Sequence, residues 1–148
     1  VAVITPVNAI TGPTGTFQGA DAMRLLGSAR AVGVTQAGDV PVPIINSSRY
    51  TVNYVVYATS AGVGSTAAAY VTAAYWSIYT ATAAGGTNIV ASASYSALSN
   101  TTGVAYAAIV GASSTASNTA STIYVRVGTT VASTTGGTFD AFIYGYDL

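Results

Sequence analysis

Asp21, Asp39, Asp140 and Asp147, with Arg24, Arg30, Arg49 and Arg126, are every ionised side chain of this 148-residue sequence. Histidine, cysteine, lysine and glutamate do not occur. The chain therefore has no imidazole base, no thiolate and no amine for a Schiff base. Zinc sites built from cysteine and histidine are excluded as well. A hard cation needs several oxygen ligands, and the aspartates are spread singly along the chain, so only folding would gather them. No cofactor is expected, and an enzyme is the poorest fit to these residues. In so charge-poor a chain each arginine should have a specific partner. For Arg126 the expectation is Asp140 on an adjacent strand. Arg24, Arg30 and Arg49 are candidates for contacts with another subunit.

Tyrosine is the other chemically distinctive residue, with eleven copies. Tyr54, Tyr57, Tyr75, Tyr79, Tyr124, Tyr144 and Tyr146 fall in predicted strands. Each ring offers an apolar face and a polar tip, so an exposed stripe of them would bind sugar or protein. Taken singly, each is better explained as an ordinary β-former filling a sheet face; as a set, they favour protein contacts. The Gly85-Gly86 pair lacks the lysine of a phosphate-binding loop and marks a turn. Asn46-Ser47-Ser48 and Asn100-Thr101-Thr102 match the glycosylation acceptor pattern, which arises easily by chance in a chain so rich in serine and threonine.

The elements that must carry these residues are short strands. At residues 121–128, Ile123, Val125 and Val127 alternate with Thr122, Tyr124 and Arg126. At 138–146, Phe139, Ala141 and Ile143 alternate with Asp140, Phe142, Tyr144 and Tyr146. Period-two alternation marks strands with one buried face. Paired antiparallel around the connection 129–137, the two would set Ile123 opposite Ile143, Val125 opposite Ala141 and Val127 opposite Phe139. Arg126 would then face Asp140, and Tyr124 would face Phe142. At 49–58, Tyr50, Val52, Tyr54 and Val56 form one set and Thr51, Asn53 and Tyr57 the other, with Val55 suggesting that the second face is partly covered. At 70–80, Trp76 and Ile78 share one side and Tyr75 and Tyr79 the other. Strands at 87–95 and 104–110 follow, the first entered through an Ala84-Gly85-Gly86 turn. Turn signals every 8–15 residues predict an all-β fold: an antiparallel β-sandwich, jelly-roll-like, with an extended N-terminal arm.

The front of the chain has a different texture, since all four prolines precede position 44. Residues 1–19 are expected to be an extended arm, and residues 20–148 a single sandwich domain. The arm is broken by Pro6 and Pro13 and loosened by glycines. It nevertheless carries Val3, Ile4, Val7, Ile10 and Phe17, more apolar surface than a solvated tail needs, and these are its candidate partner-binding residues. Residues 1–10 lack the basic head of a signal peptide. Residues 21–26 are compatible with a short helix capped by Asp21 and stopped by Gly27. A first strand is expected at 29–35. The Pro41-Val42-Pro43 segment suits an edge strand or an extended connection, because proline cannot donate to a ladder.

Composition narrows the class of partner. The formal net charge is zero and no basic run exists, so phosphate neutralisation offers little affinity and nucleic acid is not expected as a partner. No apolar run reaches the roughly 18 residues of a membrane span, and no membrane partner is expected. Charged residues are 5% of the chain against about 25% in an ordinary soluble protein. A surface of threonine, serine, asparagine, glycine, alanine and tyrosine does little to hold molecules apart. Such a chain is expected in an assembly or outside a cell.

Four phrases in order carry a resemblance: WSIYTATAAGGT at 76–87, NIVASASYSALS at 88–99, TASTIYVRVGTT at 119–130 and FDAFIYGYDL at 139–148. Their succession resembles small structural proteins encoded in tailed-phage and prophage genomes. The likeness covers residues 49–148. The front third departs from it, as does the lack of lysine. The resemblance implies a virion component on the capsid exterior: a decoration or cement protein, β-sandwich in fold and commonly trimeric, whose partners are capsid protein and copies of itself. Its motifs are strand phrases and transfer no functional residue. Two other readings stand beside it. One is an extracellular filament subunit that donates residues 1–19 as a strand to the next subunit. The other is a carbohydrate-binding domain of a tail fibre.

Overall fold

The structure is a computed structural model that describes residues 10–12, 15–17, 23–35, 37–45, 47–60, 75–94, 104–107, 117–129 and 137–148. Ten strands occur among the described residues: β1 (Ile10–Gly12), β2 (Gly15–Phe17), β3 (Arg24–Gly33), β4 (Gly38–Pro43), β5 (Tyr50–Thr59), β6 (Tyr75–Tyr79), β7 (Asn88–Ser94), β8 (Val104–Ala107), β9 (Thr122–Thr129) and β10 (Thr138–Asp147). No helix occurs among the described residues. β1 and β2 pair with each other as a small ribbon. The other eight strands form two antiparallel sheets, in the orders β3-β10-β5-β8 and β4-β9-β6-β7.

The inner faces of both sheets meet in one core. Leu26, Ala29 and Val32 of β3, Val55 and Tyr57 of β5, and Phe139, Ala141 and Ile143 of β10 come from the first sheet. Val42 of β4, Trp76 and Ile78 of β6, Ile89 and Val90 of β7, and Ile123, Val125 and Val127 of β9 come from the second. An aromatic clasp joins the sheets: Trp76 stacks on Phe139 with centroids 4.3 Å apart, and Tyr57 meets both rings edge-on. The single tryptophan of the chain thus sits where the two sheets depend on one another.

Several sequence expectations are corrected here. The six residues Ile123, Val125, Val127, Phe139, Ala141 and Ile143 are buried as expected, but their strands do not pair. β9 lies between β4 and β6, whereas β10 lies between β3 and β5, so the two apolar sets meet across the core and not side by side. Alternation fixes which face is buried, and a facing strand in the opposite sheet satisfies it as well as a neighbour does. Arg126 consequently pairs with Asp39 instead of Asp140, and Phe142 stands beside Val56 instead of Tyr124. The expected helical turn at 21–26 gives way to β3, which begins at Arg24, while Asp21 lies outside the described residues. Extension of the strand buries Leu26 and lets β3 close on β4. A Cβ at Gly27 would come within 2.7 Å of Val42 Cγ1 and 2.8 Å of the Pro43 carbonyl oxygen.

In β5 the alternation inverts midway. Tyr50 and Val52 are buried as expected, but beyond Asn53 it is Val55 and Tyr57 that turn inward, and Tyr54 and Val56 are half-exposed. The cause is a β-bulge: Tyr144 pairs with Tyr54 and the next residue, Gly145, with Val52, so exposed Asn53 is the extra residue. β6 holds its expected faces, and β4 is an edge strand with Pro41 and Pro43 exposed, as the sequence implies.

Candidate functional site

The ionised residues are gathered into cross-strand locks. In β10, Asp140 stands opposite two residues of β3, because Phe139 pairs with Val32 and Ala141 with Ala29. Of these two, Arg30 and Ala31, Ala31 takes a positive φ of 51°. Asp140 receives the Ala31 amide at 2.8 Å, the Ser60 hydroxyl at 2.7 Å and the Arg30 guanidinium at 3.0 Å. Burial pushes this carboxyl up, but the three donors outweigh it and hold it below its ordinary value. Arg30 also lies over the Phe142 ring, 4.5 Å from its centroid. Asp140 therefore ties a bulge of β3 to the end of β5.

Asp39 and Arg126 are direct Cα partners on β4 and β9, and the guanidinium Nη1 lies 3.0 and 3.1 Å from the two carboxylate oxygens. The same carboxylate accepts the Ala83 amide at 2.8 Å, reaching the β6–β7 turn. Burial raises the Asp39 pKa, and the Ala83 amide and Arg126 more than reverse it. At the other end, Arg24 grips Asp147 with two parallel bonds of 2.7 Å and donates to the Ile45 carbonyl at 2.7 Å. The Arg24 bond, reinforced by Ser47 against burial, holds the Asp147 carboxyl below its usual range. Two-pronged arginine–carboxylate geometry is the strong form of this contact.

Each arginine thus has a partner within the chain. Arg24 and Arg30 pair with Asp147 and Asp140, and Arg49 donates to the Ser117 hydroxyl at 2.6 Å. Val3, Ile4 and Val7 lie outside the described residues, as do Asn46 and Asn100. Ile10 and Phe17 are Cα partners in the β1–β2 ribbon. The tyrosines divide by role: Tyr50 and Tyr57 are core residues, while Tyr54 and Tyr144 stack at 5.0 Å on the outer face of the first sheet. Burial pushes the Tyr50 phenol up to about 12, and its hydroxyl donates to the Ala120 carbonyl at 2.8 Å.

Among the described residues, no group of three or more aspartates that could hold a metal comes together. A cavity of about 260 Å³ opens beside the β3–β4 connection, lined by Gly33, Thr35, Asp39 and Val127 among others. Its one carboxylate is already committed to Arg126 and Ala83. The feature that sequence reasoning missed is apolar. Met23, Leu25, Ile45 and Leu148 are exposed by 36–62%; the first two flank Arg24 in the chain, Leu148 follows Asp147, and Ile45 offers Arg24 its carbonyl. For Ile45 the available signal was the consecutive pair Ile44-Ile45, since alternation places only one of two neighbours inside. Comparison with known proteins finds no matching family model, no similar curated protein and no similar solved structure.

Proposed function

We propose that this protein is a structural component of a virion, a jelly-roll-like sandwich that binds and stabilises a capsid surface as a decoration or cement protein. The strand order carries the reading. First pairs with last, second with second-to-last, and so inward: β3 with β10, β4 with β9, β5 with β8 and β6 with β7. That is one long hairpin of nested pairs rolled into two sheets, an architecture common to viral capsid and lectin domains. The committed charges support it: six of the eight ionised residues neutralise each other within the body, leaving polar and apolar surface for packing. The strand phrases quoted above add the resemblance to phage structural proteins.

In this reading the partners are capsid protein and copies of the chain itself, most simply as a homotrimer on the capsid exterior, with residues 1–19 held against a neighbouring surface. The same nested order favours a second reading, in which the chain is a subunit of the shell itself. The test is to add purified protein to emptied capsids and follow co-sedimentation, with full-length chain and with a chain lacking residues 1–19. Saturable binding by the full chain, lost on truncation while the body refolds, is the expected result. Assembly of the protein alone into closed shells would favour the second reading. Absence of both would defeat the virion assignment.

A further inference from the structure

The outer face of the first sheet is apolar across three neighbouring strands. Leu25 of β3, Tyr144 of β10 and Tyr54 of β5 stand in one row, since Tyr144 is the Cα partner of both others, and the two tyrosine rings stack. Phe142 and Val56 make the next row, with Arg30 lying over the Phe142 ring. Toward the other end, the Leu148 amide donates to the Arg49 carbonyl at 2.9 Å and so extends the β5–β10 ladder beyond Asp147 and Tyr50. Tyr50 is a core residue, so alternation turns Arg49 outward, and Leu148 shares the side of Tyr144 and Tyr146. The outer face of the second sheet is closed at its centre instead. Ser77 points outward there, opposite Arg126, yet it is buried, and the Ala83 amide reaches over to Asp39 beside it.

One charge on the open face is left over. Among the described residues Arg49 is the one ionised side chain without an opposite charge beside it, its Nε donating to the Ser117 hydroxyl. The three described carboxylates are all taken: Asp39 by Arg126, Asp140 by Arg30 and Asp147 by Arg24. A second body of this chain packed on the face would therefore cover the apolar rows and bury Arg49 without giving it an anion. A guanidinium covered without a partner loses its hydration for nothing in return, which weighs against such an occupant.

We infer that this face docks a different protein, through an apolar segment of that protein that brings a carboxylate to Arg49. The inference rests on the virion reading above, in which that protein is the capsid protein, and it names the face and the chemistry of the contact. The aromatic and leucine rows supply the buried centre of the contact, where apolar anchors carry most of the binding energy. Arg49, at the margin, supplies register: its terminal nitrogens carry the paired N–H groups that fit a carboxylate.

The test titrates full-length protein onto emptied capsids and follows co-sedimentation. Leu25 and Arg49 are both exposed, so Leu25→Asp and Arg49→Gln should keep the urea midpoint of the wild type while binding at least ten-fold more weakly. Added salt should weaken the wild type more than Arg49→Gln, because only the wild type has the ion pair to screen. Tyr75→Ser, on the outer face of the second sheet, should bind as the wild type does, and so should Asp21→Asn. Leu25→Asp and Arg49→Gln at wild-type affinity would overturn the inference while leaving the virion reading intact. A loss in Asp21→Asn equal to that in Arg49→Gln would assign the carboxylate to this chain and overturn it too. So would a capsid-free oligomer, seen by sedimentation equilibrium, that Leu25→Asp disperses, since the occupant would then be a second copy. A wild type that fails to bind capsids at all would remove the virion reading and the inference with it.

Discussion

Asp140 gathers a backbone amide and a guanidinium from Arg30-Ala31 and a hydroxyl from Ser60, and in doing so holds Ala31 in a conformation that non-glycine residues avoid. The Arg30 contact contributes little, because that side chain is 66% exposed and screened by solvent. The amide and hydroxyl bonds to a mostly buried carboxylate matter more. Asp140→Ala should lower unfolding free energy by about 1–3 kcal/mol at neutral pH, measured by urea titration. Because the folded carboxyl titrates below its ordinary value, this stabilisation is complete above about pH 4 and is lost as pH falls through the folded pKa. The difference between wild type and variant should therefore close in acid. Asp39 and Asp147 are depressed in the same sense, so the wild type should lose stability steeply below pH 4.

At the scale of the element, two departures from ideal β structure locate strong sensitivities. Opposite the Asn53 bulge, Gly145 lies so close to β5 that a Cβ would collide with the Thr51 carbonyl oxygen and the Leu26 side chain. Gly145→Ala should cost about 1–3 kcal/mol by overpacking, read as a lower urea midpoint. The β6–β7 turn departs in the other direction. Ala83 and Ala84 both have positive φ, at 55° and 59°, and Gly85 donates back to the Thr82 carbonyl at 3.0 Å. A hairpin turn with both central residues at positive φ prefers Asn-Gly, so Ala83→Asn with Ala84→Gly should raise the melting temperature by several degrees. The sequence placed this turn at Ala84-Gly85-Gly86, whereas its central pair is Ala83-Ala84. Its faces were legible wherever alternation ran unbroken, as in β6, β9 and β10. They were misread in β5, because a single inserted residue reverses every side chain after it. Strand partners were not legible at all: Arg126 chose Asp39, 87 positions away, since composition fixes the burial of a face but not its neighbour.

The two sheets share one core, and the Trp76–Phe139–Tyr57 clasp joins them within it. Trp76→Ala should destabilise the fold by about 3–5 kcal/mol, followed by far-UV circular dichroism because the only tryptophan is lost. The candidate site was only half legible in the sequence. The shortage of charge predicted that each arginine has a specific partner, but which partner depends on how β3, β4, β9 and β10 converge: Arg24 takes Asp147 and the Ile45 carbonyl, and Arg126 takes Asp39. The central claim is that this nested two-sheet body serves as a building part of a particle. The most direct measurement is electron cryo-microscopy of the particle that carries it. The account predicts density for the body repeated at symmetry-related positions on an icosahedral surface. Copies strung head to tail along a filament, or confined to the tip of a fibre, would contradict it.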